Sequence, residues 1–529
     1  MRITTKVIMN NSLSNINTNK RLQDKLNNQM ATEKKVNRPS DDPVVAIRAL
    51  RLRTNVSQVT QFYERNAPDA ESWMSVTEDA LSTVTEVITD MIEQCEKGAN
   101  ENLTSTDRET LLDALRELRD EVYSTGNADY AGRSVFTGYR TETTLKFTKD
   151  ETKKYSITEQ IDNSVIDEIT HTDSDFLLGI NDSNYNNATN TAINETQVVQ
   201  NSIHRIRLAY SDVDGAGDYA AGELPTLTVY NPATGSFEGV TGTDADGNET
   251  TVTTRVVSLS DNPYMTITDD EILVVEETGE MLLGENVYRT LMALEDDPTT
   301  PELENEIRVT YQKSEWLQND LKPEHYFACT DKTDPAKIVQ YNQNYLSWNI
   351  SKQAIEYDVG LNQTIQVNIT ADQVFQHDIG RDVDDLIKVM EEVTEMEDVI
   401  DGLKDMINSG KYSETELVTI NNQLDAAEKA LTLKKEVAQK AFESGITKMQ
   451  GHLDTVNYAT TLCGTRGKKL ELITNRLMSQ KTNFETLQSD NENVEITDVA
   501  IQLSSAELTY EAALMATSKI ISNSLMNYI

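Results

Sequence analysis

The sequence predicts an α+β fold in which long coiled-coil helices from both ends of the chain form a stem that carries a β-rich inserted outer domain. Near both ends, apolar residues recur at alternating spacings of three and four, as in a coiled-coil seam. Seven of the ten prolines lie between Pro225 and Pro335, where this spacing is lost. The ends also differ in charge: residues 1–66 hold twelve Lys and Arg against five Asp and Glu, and residues 476–529 hold three against seven. Because helices of opposite charge attract over about 10 Å in moderate salt, we expect the two ends to pair.

Composition excludes several classes of protein. The 529 residues carry a net charge of −41, and the middle of the chain, residues 67–475, carries −44, which should repel nucleic acid and anionic lipid. Hydrophobic residues make up 38% and the mean hydropathy is −0.51, as expected for elongated helices with a narrow apolar seam. No apolar run approaches the roughly 20 residues that cross a bilayer, and the N-terminus lacks the apolar core of a secretory signal. We therefore expect neither a nucleic-acid nor a membrane partner, and composition alone favours a cytosolic protein.

The first predicted helix runs from about Thr5 to Lys34. It is rich in Asn, which lowers intrinsic helicity, so we expect it to need partners in order to fold. Pro39 should end it, and either Ser40 or Asp42 should cap the next helix, with a proline at its first position.

The second predicted helix carries a long apolar seam that Pro68 should kink or restart. Gly98 should close this segment. A third helix is predicted over about 105–124, with Ser105 or Thr106 and Glu109 forming a capping box. The seam of the second helix consists of Ala49, Leu52, Val56, Val59, Tyr63, Asn66, Ala70, Trp73, Thr77, Ala80, Val84, Val87 and Met91.

The middle of the chain should be rich in β-structure, because short alternating stretches replace the helical spacing. We predict helical interruptions near 194–210, 281–295 and 302–319, and a candidate linker at Asp212–Glu223. The predicted strands are Val135–Tyr139, Thr144–Phe147, Thr226–Tyr230, Thr251–Leu259, Ile272–Val275, Ile355–Val359 and Ile365–Ile369.

From about Asp382 the pattern is helical again. Gly410 should end one helix, and Ser413 with Glu416 should cap the next. The last helix has two apolar lines, and because one partner helix cannot cover both, we expect it to pack against several neighbours. Its seam consists of Ile496, Val499, Leu503, Ala506, Tyr510, Ala513, Thr517 and Ile520, and its second line of Ile501, Leu508, Leu514, Ile521 and Leu525.

The sequence contains only weak matches to the motifs of catalytic, metal-binding and phosphate-binding sites. The five histidines lack metal-ligand spacing, and Gly464–Lys469 lacks both the spacing of a phosphate-binding loop and the strand that precedes one. Asp212–Glu223 partly fits a calcium loop, although Ala216 occupies a ligand position and a flexible acidic turn is the simpler interpretation. The three cysteines read as buried small residues, with a Cys95–Cys463 bridge as the alternative. We predict no catalytic residue, cofactor site or metal site, and no enzymatic activity.

Seven stretches of the sequence match the pattern of a known family: Asn37–Pro43, Ala46–Arg53, Arg65–Pro68, Glu78–Leu81, Asn127–Gly138, Ile355–Phe375 and Glu507–Ile529. They resemble the flagellin superfamily, and within it the hook–filament junction proteins. The resemblance covers about 150 residues at each end and says little about 148–340. Filament-forming flagellin is the near competitor, and the Arg38–Pro43 turn and the Tyr-Ile terminus are similar to junction proteins rather than to filament proteins.

The resemblance implies a secreted, extracellular structural subunit of the bacterial flagellum, exported largely unfolded and assembled as an adaptor ring between hook and filament. Its implied partners are further copies of itself, flagellin on the filament side, a hook-proximal hook-associated protein and an export chaperone. A filament-forming flagellin, or a stem that displays a ligand-binding or enzymatic outer domain, are the alternatives. Residues expected to pack between subunits are Leu13, Ile16, Arg38, Asp41, Asp42, Leu503, Tyr510 and Ile520.

The expected organisation has five ranges. An inner helical layer comprises 1–40 and 490–529, and a helical stem comprises 41–147, which ends in a β-turn, and 378–489. The β-rich outer insertion is 148–377, with one or two subdomains.

Overall fold

The computed structural model describes residues 5–100, 103–219, 223–294, 306–347 and 353–526. The fold class is α+β, as predicted, with long helices near both ends of the chain and strands between them. The helices in the described residues are α1 (Thr5–Thr32), α2 (Pro43–Gln61), α3 (Ala67–Gly98), α4 (Ser105–Thr125), α5 (Pro263–Thr266), α6 (Glu285–Met292), α7 (His377–Asn408), α8 (Glu414–Glu492) and α9 (Ile496–Met526).

The strands in the same residues form two larger sheets and three two-stranded ribbons. They are β1 (Asp129–Tyr130), β2 (Arg133–Ser134), β3 (Glu151–Ile161), β4 (Asp167–Asp173), β5 (Val199–Arg207), β6 (Thr226–Asn231), β7 (Ser236–Gly239), β8 (Gly242–Thr243), β9 (Glu249–Thr250), β10 (Thr253–Val257), β11 (Glu271–Val275), β12 (Glu280–Leu283), β13 (Ile307–Trp316), β14 (Ala328–Asp331), β15 (Val339–Tyr341), β16 (Glu356–Gly360) and β17 (Gln363–Gln366).

The chain divides into two compact units. We call the first the terminal unit; it comprises Met1–Glu71, Tyr357–Ile365 and Gly467–Ile529. The second, the central unit, comprises Ser72–Glu356 and Gln366–Arg466. The five-range organisation expected from the sequence stays a prediction.

Helix ends follow the local chemistry of their residues. Asp42 caps α2, because its carboxylate accepts from the amides of Val44 and Val45 at 3.0 and 3.1 Å, with Pro43 at the first position. Of the two predicted caps, Asp42 is therefore the one used. Ser413 and Glu416 form the predicted capping box before α8, with the Ser413 amide donating to the Glu416 carboxylate at 2.8 Å.

The capping box of α4 was predicted on the wrong residues. Thr104 is the cap: its hydroxyl accepts from the Asp107 amide, and its own amide donates to the Asp107 carboxylate at 3.1 Å. Ser105 and Thr106 already lie in the first turn. Thr104 lies three residues before Asp107, so its hydroxyl is within reach of the third helical amide, which is the geometry that this motif requires.

Pro68 restarts the helix, as predicted, through a π-helical turn at Phe62–Asn66 that separates α2 from α3. The amide of Ala67 donates to the carbonyl of Phe62, five residues earlier. The wider turn suits a proline in the next turn, which has no amide to donate and whose ring needs space beside the preceding carbonyls. The seam of this helix is thus interrupted but continues on both sides.

The central unit contains both larger sheets. One has the strand order β10-β11-β12-β5-β4 and is antiparallel except where β10 pairs with β11. The other has the order β15-β14-β3-β13-β6-β7 and is antiparallel in the registers described. The unit also contains α4, α5, α6, α7, most of α3 and the first part of α8.

Two helices predicted in the middle of the chain are strands instead. The region 194–210 contains β5, and 302–319 contains β13, which lies between β3 and β6. The burial alternates along β13 at Ile307, Val309 and Tyr311, so sheet pairing decided the conformation. The third region, 281–295, contains the end of β12 before α6.

Strands predicted at 135–139 and 144–147 were also wrong. The chain pairs between β1 and β2, turns through Gly138, which has a φ of +63°, and then forms only an isolated antiparallel bridge between Lys146 and Leu321. Phe136 is buried edge-on against Phe375, with ring centroids 4.8 Å apart. Apolar residues in this segment therefore mark a packed turn rather than a strand. The other predicted strands are present with shifted ends; the last one lies at 363–366 instead of 365–369.

A carboxylate is buried in the middle of β3. Glu159 accepts hydrogen bonds from Tyr311 Oη at 2.5 Å and from the Ala209 amide at 2.9 Å. Burial raises the pKa of Glu159 to about 7, although both hydrogen bonds and Arg381 act in the opposite direction.

Candidate assembly surface

The terminal helices form a small core of their own within the terminal unit. Leu26 of α1 is buried together with Val499 and Ala506 of α9, and Val494 and Leu503 pack against them. The end of α1 lies beside the start of α9, since Lys34 and Asn493 form an antiparallel bridge. The two helices therefore run antiparallel along the α9 seam.

Backbone hydrogen bonds join the segment after α1 to the segment before α9, and one carboxylate there binds α2. The Lys35 amide donates to the Glu492 carbonyl at 2.7 Å, and the Val494 amide donates to the Glu33 carbonyl at 3.1 Å. The side chain of Glu492, nearly buried, accepts from Arg53 Nε at 2.7 Å and from Arg53 Nη2 at 2.6 Å. These bonds from Arg53 lower the pKa of Glu492, and Lys34 at 3.6 Å contributes in the same direction. The paired geometry fixes α2 to the end of α8.

The face of α9 opposite its seam is bare in the single chain. Ile501, Leu508 and Met515 are 64%, 69% and 66% exposed. They are spaced by seven residues, so they form one line along the helix. Exposed apolar side chains in such a line indicate an interaction surface.

The outward face of α2 has a similar character. Val44, Ile47 and Leu50 are 66%, 55% and 61% exposed, and the exposed Arg48 and Arg51 lie among them. The opposite face of α2, which includes the buried Val59, packs inward. Both α2 and α9 therefore bury one face within the terminal unit and leave an apolar face uncovered.

The predicted packing residues near the N-terminus differ in exposure and in local contacts. Leu13 is exposed and Ile16 is half-buried on α1. Arg38 and Asp41 close the turn before α2: the Arg38 amide donates to the Asp41 carboxylate at 3.0 Å, and the Asp41 amide donates to the Arg38 carbonyl at 2.9 Å. Asp42 is the α2 cap. Within the chain, then, the last three have local structural roles.

Two of the predicted packing residues near the C-terminus, Leu503 and Tyr510, lie on the inward side of α9. Leu503 packs on the α1–α9 core, and Tyr510 is half-buried two turns further along. Ile520 lies on the α9 backbone, but its side chain is outside the described residues. The structure brings Leu503 to α1, and the contacts of these residues with other subunits stay predictions.

Sequence reasoning did not select Arg53 and Glu492, nor the outward faces of α2 and α9, as site residues. The signal for Ile501 and Leu508 was present as a second apolar line. The pair of Arg53 and Glu492 joins residues 439 positions apart, and no local pattern encodes it.

The weak motifs have structural explanations. In the partial match to a calcium loop, which follows β5, the Asp218 carbonyl accepts a hydrogen bond from the ammonium of Lys154 on β3 at 2.8 Å. The same ammonium lies 3.9 Å from the Asp214 carboxylate. Gly464–Lys469 lies inside α8, where helical backbone cannot form a phosphate-binding loop. In the described part of the chain, no group of three or more His, Cys, Asp and Glu residues is arranged to hold a metal ion.

The cysteines are buried free thiols. Burial raises the pKa of Cys95 to about 12 and that of Cys463 to about 11. The Cys463 thiol lies 3.6 Å from the Met74 carbonyl instead of forming the alternative bridge. Such thiols are poor nucleophiles at neutral pH.

Comparison with known proteins covers the first quarter of the chain most clearly. Residues 3–141 match the family model of the bacterial flagellin N-terminal helical region. This stretch, which we call the flagellin-family region after the model that it matches, contains α1, α2, α3 and α4 and the β1–β2 ribbon.

Curated relatives match over part of their length. The chain is 35% identical to flagellar hook-associated protein 3 of Salmonella typhimurium over 143 residues, which are 27% of this chain and 45% of that protein. It is 33% identical to flagellar hook-associated protein 3 of Escherichia coli over 177 residues, 32% of this chain and 55% of that protein. A flagellin of Clostridium tyrobutyricum is 26% identical over 122 residues, 23% of this chain and 32% of that protein. The chain thus spans about half the length of the two hook-associated proteins it matches.

The long helices outside the flagellin-family region share one property with those inside it. No helix among the described residues is both long enough and apolar enough to cross a membrane.

Proposed function

We propose that this chain is a non-catalytic structural subunit of the bacterial flagellum, an adaptor that joins hook and filament outside the cell. It leaves the cell largely unfolded and becomes ordered on assembly. Its partners are further copies of itself in a ring, flagellin on the filament side, a hook-proximal hook-associated protein and, before assembly, an export chaperone.

The observation that carries the proposal is the uncovered apolar face of α9. This helix buries its seam against α1 and still exposes Ile501, Leu508 and Met515. Covering such side chains stabilises an assembly by roughly 25 cal/mol for each Å² of apolar surface removed from water. The flagellin-family region at the other end of the chain supports a flagellar setting for that assembly.

The residues proposed to pack between subunits remain those expected from the sequence. Leu13 is the clearest of them, because its side chain is 47% exposed on α1 and has no core position in the single chain. The inward residue Leu503 supports this surface from behind, since it packs on the α1–α9 core, and Tyr510 is half-buried on the same side of α9.

A filament-forming flagellin is the alternative. The flagellin-family match in the first quarter of the chain would suit either protein. The two hook-associated proteins are 35% and 33% identical to the chain, whereas the flagellin is 26% identical over a shorter stretch, which favours the junction role.

Deleting residues 496–529 tests the proposal. In a flagellated strain that lacks its own copy, the truncated chain should fail to enter isolated hook–filament structures, because the apolar surface of α9 is gone. Its urea unfolding should still show a cooperative transition from the central unit. An intact junction built from the truncated chain would contradict the proposal, and unaided growth of the purified full chain into long filaments would favour flagellin.

A milder variant removes the surface and keeps the helix. Ile501→Ser with Leu508→Ser should reduce entry into hook–filament structures while the chain stays folded. The matched control is Val418→Ser, which changes an apolar residue of α8 that is 60% exposed and lies in the central unit. Equal loss in the control would mean that exposed apolar residues act only through solubility.

A further inference from the structure

The uncovered face of α9 is acidic as well as apolar. Glu507 and Glu511 are exposed beside the line formed by Ile501, Leu508 and Met515. The inward seam of the helix is already occupied by α1. A partner for the outward face must therefore offer apolar side chains together with positive charge.

The uncovered face of α2 has this chemistry. Arg48 and Arg51 stand among its three exposed apolar side chains. Between Pro43 and Gln61 the helix contains three arginines and no acidic residue. The third arginine, Arg53, is paired with Glu492 although its side chain is 56% exposed, so Arg48 and Arg51 are the two arginines that we assign to the uncovered face.

Resting on the proposed function, we infer that the α2 face of one copy binds the α9 face of a second copy. Ile501, Leu508 and Met515 would pack on the exposed apolar residues of α2, and the arginines would meet the glutamates at the rim. Pairing two α9 faces would oppose glutamates, and pairing two α2 faces would oppose arginines; like charges disfavour both arrangements.

This pairing determines how copies assemble. The two faces differ and lie on the same chain, so each copy uses one face toward each of two neighbours. Such a head-to-tail contact builds a ring if its rotation closes and a helical array if it does not. A closed two-fold dimer would instead require one face that is complementary to itself.

Charge reversal on full-length chains tests the contact. The first variant carries Arg48→Glu with Arg51→Glu, and the second carries Glu507→Arg with Glu511→Arg. The matched control carries Lys440→Glu with Lys469→Glu, two exposed lysines of α8 outside both faces. Urea unfolding of each purified variant verifies that it is folded. Incorporation into isolated hook–filament structures is then measured in a strain without its own copy.

We expect each reversed variant to incorporate at least about tenfold less than the wild type, and the control to match it. Incorporation should return when the two reversed variants are expressed together, because each then offers the face that the other needs. It should also return when all four changes are on one chain. Normal incorporation of either reversed variant, or loss without rescue in both combinations, would overturn the inference and assign these faces to a different partner.

A different result would refute the proposed function without refuting the contact between α2 and α9. If the wild-type chain is absent from hook–filament structures, the adaptor role is wrong. Sedimentation of the purified wild type, the variants and their mixtures then decides the inference alone. Self-association that is lost in each variant and restored in the mixture supports it, and a wild type that stays monomeric overturns it.

Discussion

The buried carboxylate of Glu159 should make the stability of the central unit depend on pH near neutrality. We predict that Glu159→Gln stabilises the protein above pH 7 and has little effect near pH 4.5. The glutamine keeps an oxygen for the Tyr311 hydroxyl at 2.5 Å and the Ala209 amide at 2.9 Å, and removes the buried negative charge.

The magnitude follows from the change in the Glu159 pKa, which burial raises from 4.5 to about 7. Below pH 4.5 the group is protonated in both the folded and the unfolded chain, so it contributes no pH dependence. Between pH 4.5 and about pH 7, Glu159 loses its proton in the unfolded chain but keeps it in the folded chain, so stability falls as pH rises. At about 1.4 kcal/mol per pH unit the full loss is about 3 kcal/mol, complete above pH 7. The glutamine variant should recover much of it, reduced by any amide hydrogen left without an acceptor.

The assay is urea unfolding of the full chain and the variant at several pH values between 4.5 and 8.5. The difference in unfolding free energy should grow across this interval and then level off. Glu249→Gln is the matched control, because Glu249 is exposed on β9. A difference between Glu159→Gln and the wild type that does not change with pH would refute the reasoning.

Two other predictions concern the backbone. Asp42→Ala should cost about 1 kcal/mol of α2 stability and speed amide exchange at the first turn of α2, whereas Ser40→Ala should not; equal exchange in the two variants would exclude the Asp42 cap. Gly279 has a φ of +60°, and an added Cβ would lie 1.9 Å from the Tyr210 carbonyl oxygen. Gly279→Ala should therefore destabilise the chain by about 3 kcal/mol in urea unfolding. Gly247→Ala, at a φ of +84° with no atom within 4 Å, should cost about 1 kcal/mol, and equal losses would show that the contact is unimportant.

The sequence predicted the helical ends of the molecule well. Seams, caps and helix stops are local signals, and they located α1, the start of α2, Gly410 after α7 and the capping box of α8. The same logic located the α9 seam, because the side chains that recur at this spacing share one side of a helix.

The middle of the chain was predicted less well because strands depend on their neighbours. β5 and β13 were read as helices, yet each lies inside a sheet with a strand on both sides. A short apolar stretch can satisfy either periodicity, and long-range pairing then decides between them.

The candidate surface also depends partly on local sequence signals and partly on long-range packing. By itself the sequence determined that α9 carries two apolar lines and that the chain ends differ in charge, since both are properties of spacing and composition. Only the tertiary structure decided which line α1 covers, which one stays uncovered, and that Arg53 is the arginine of α2 that pairs with Glu492. The reason is physical: burial belongs to the packed chain, and residues hundreds of positions apart determine it together.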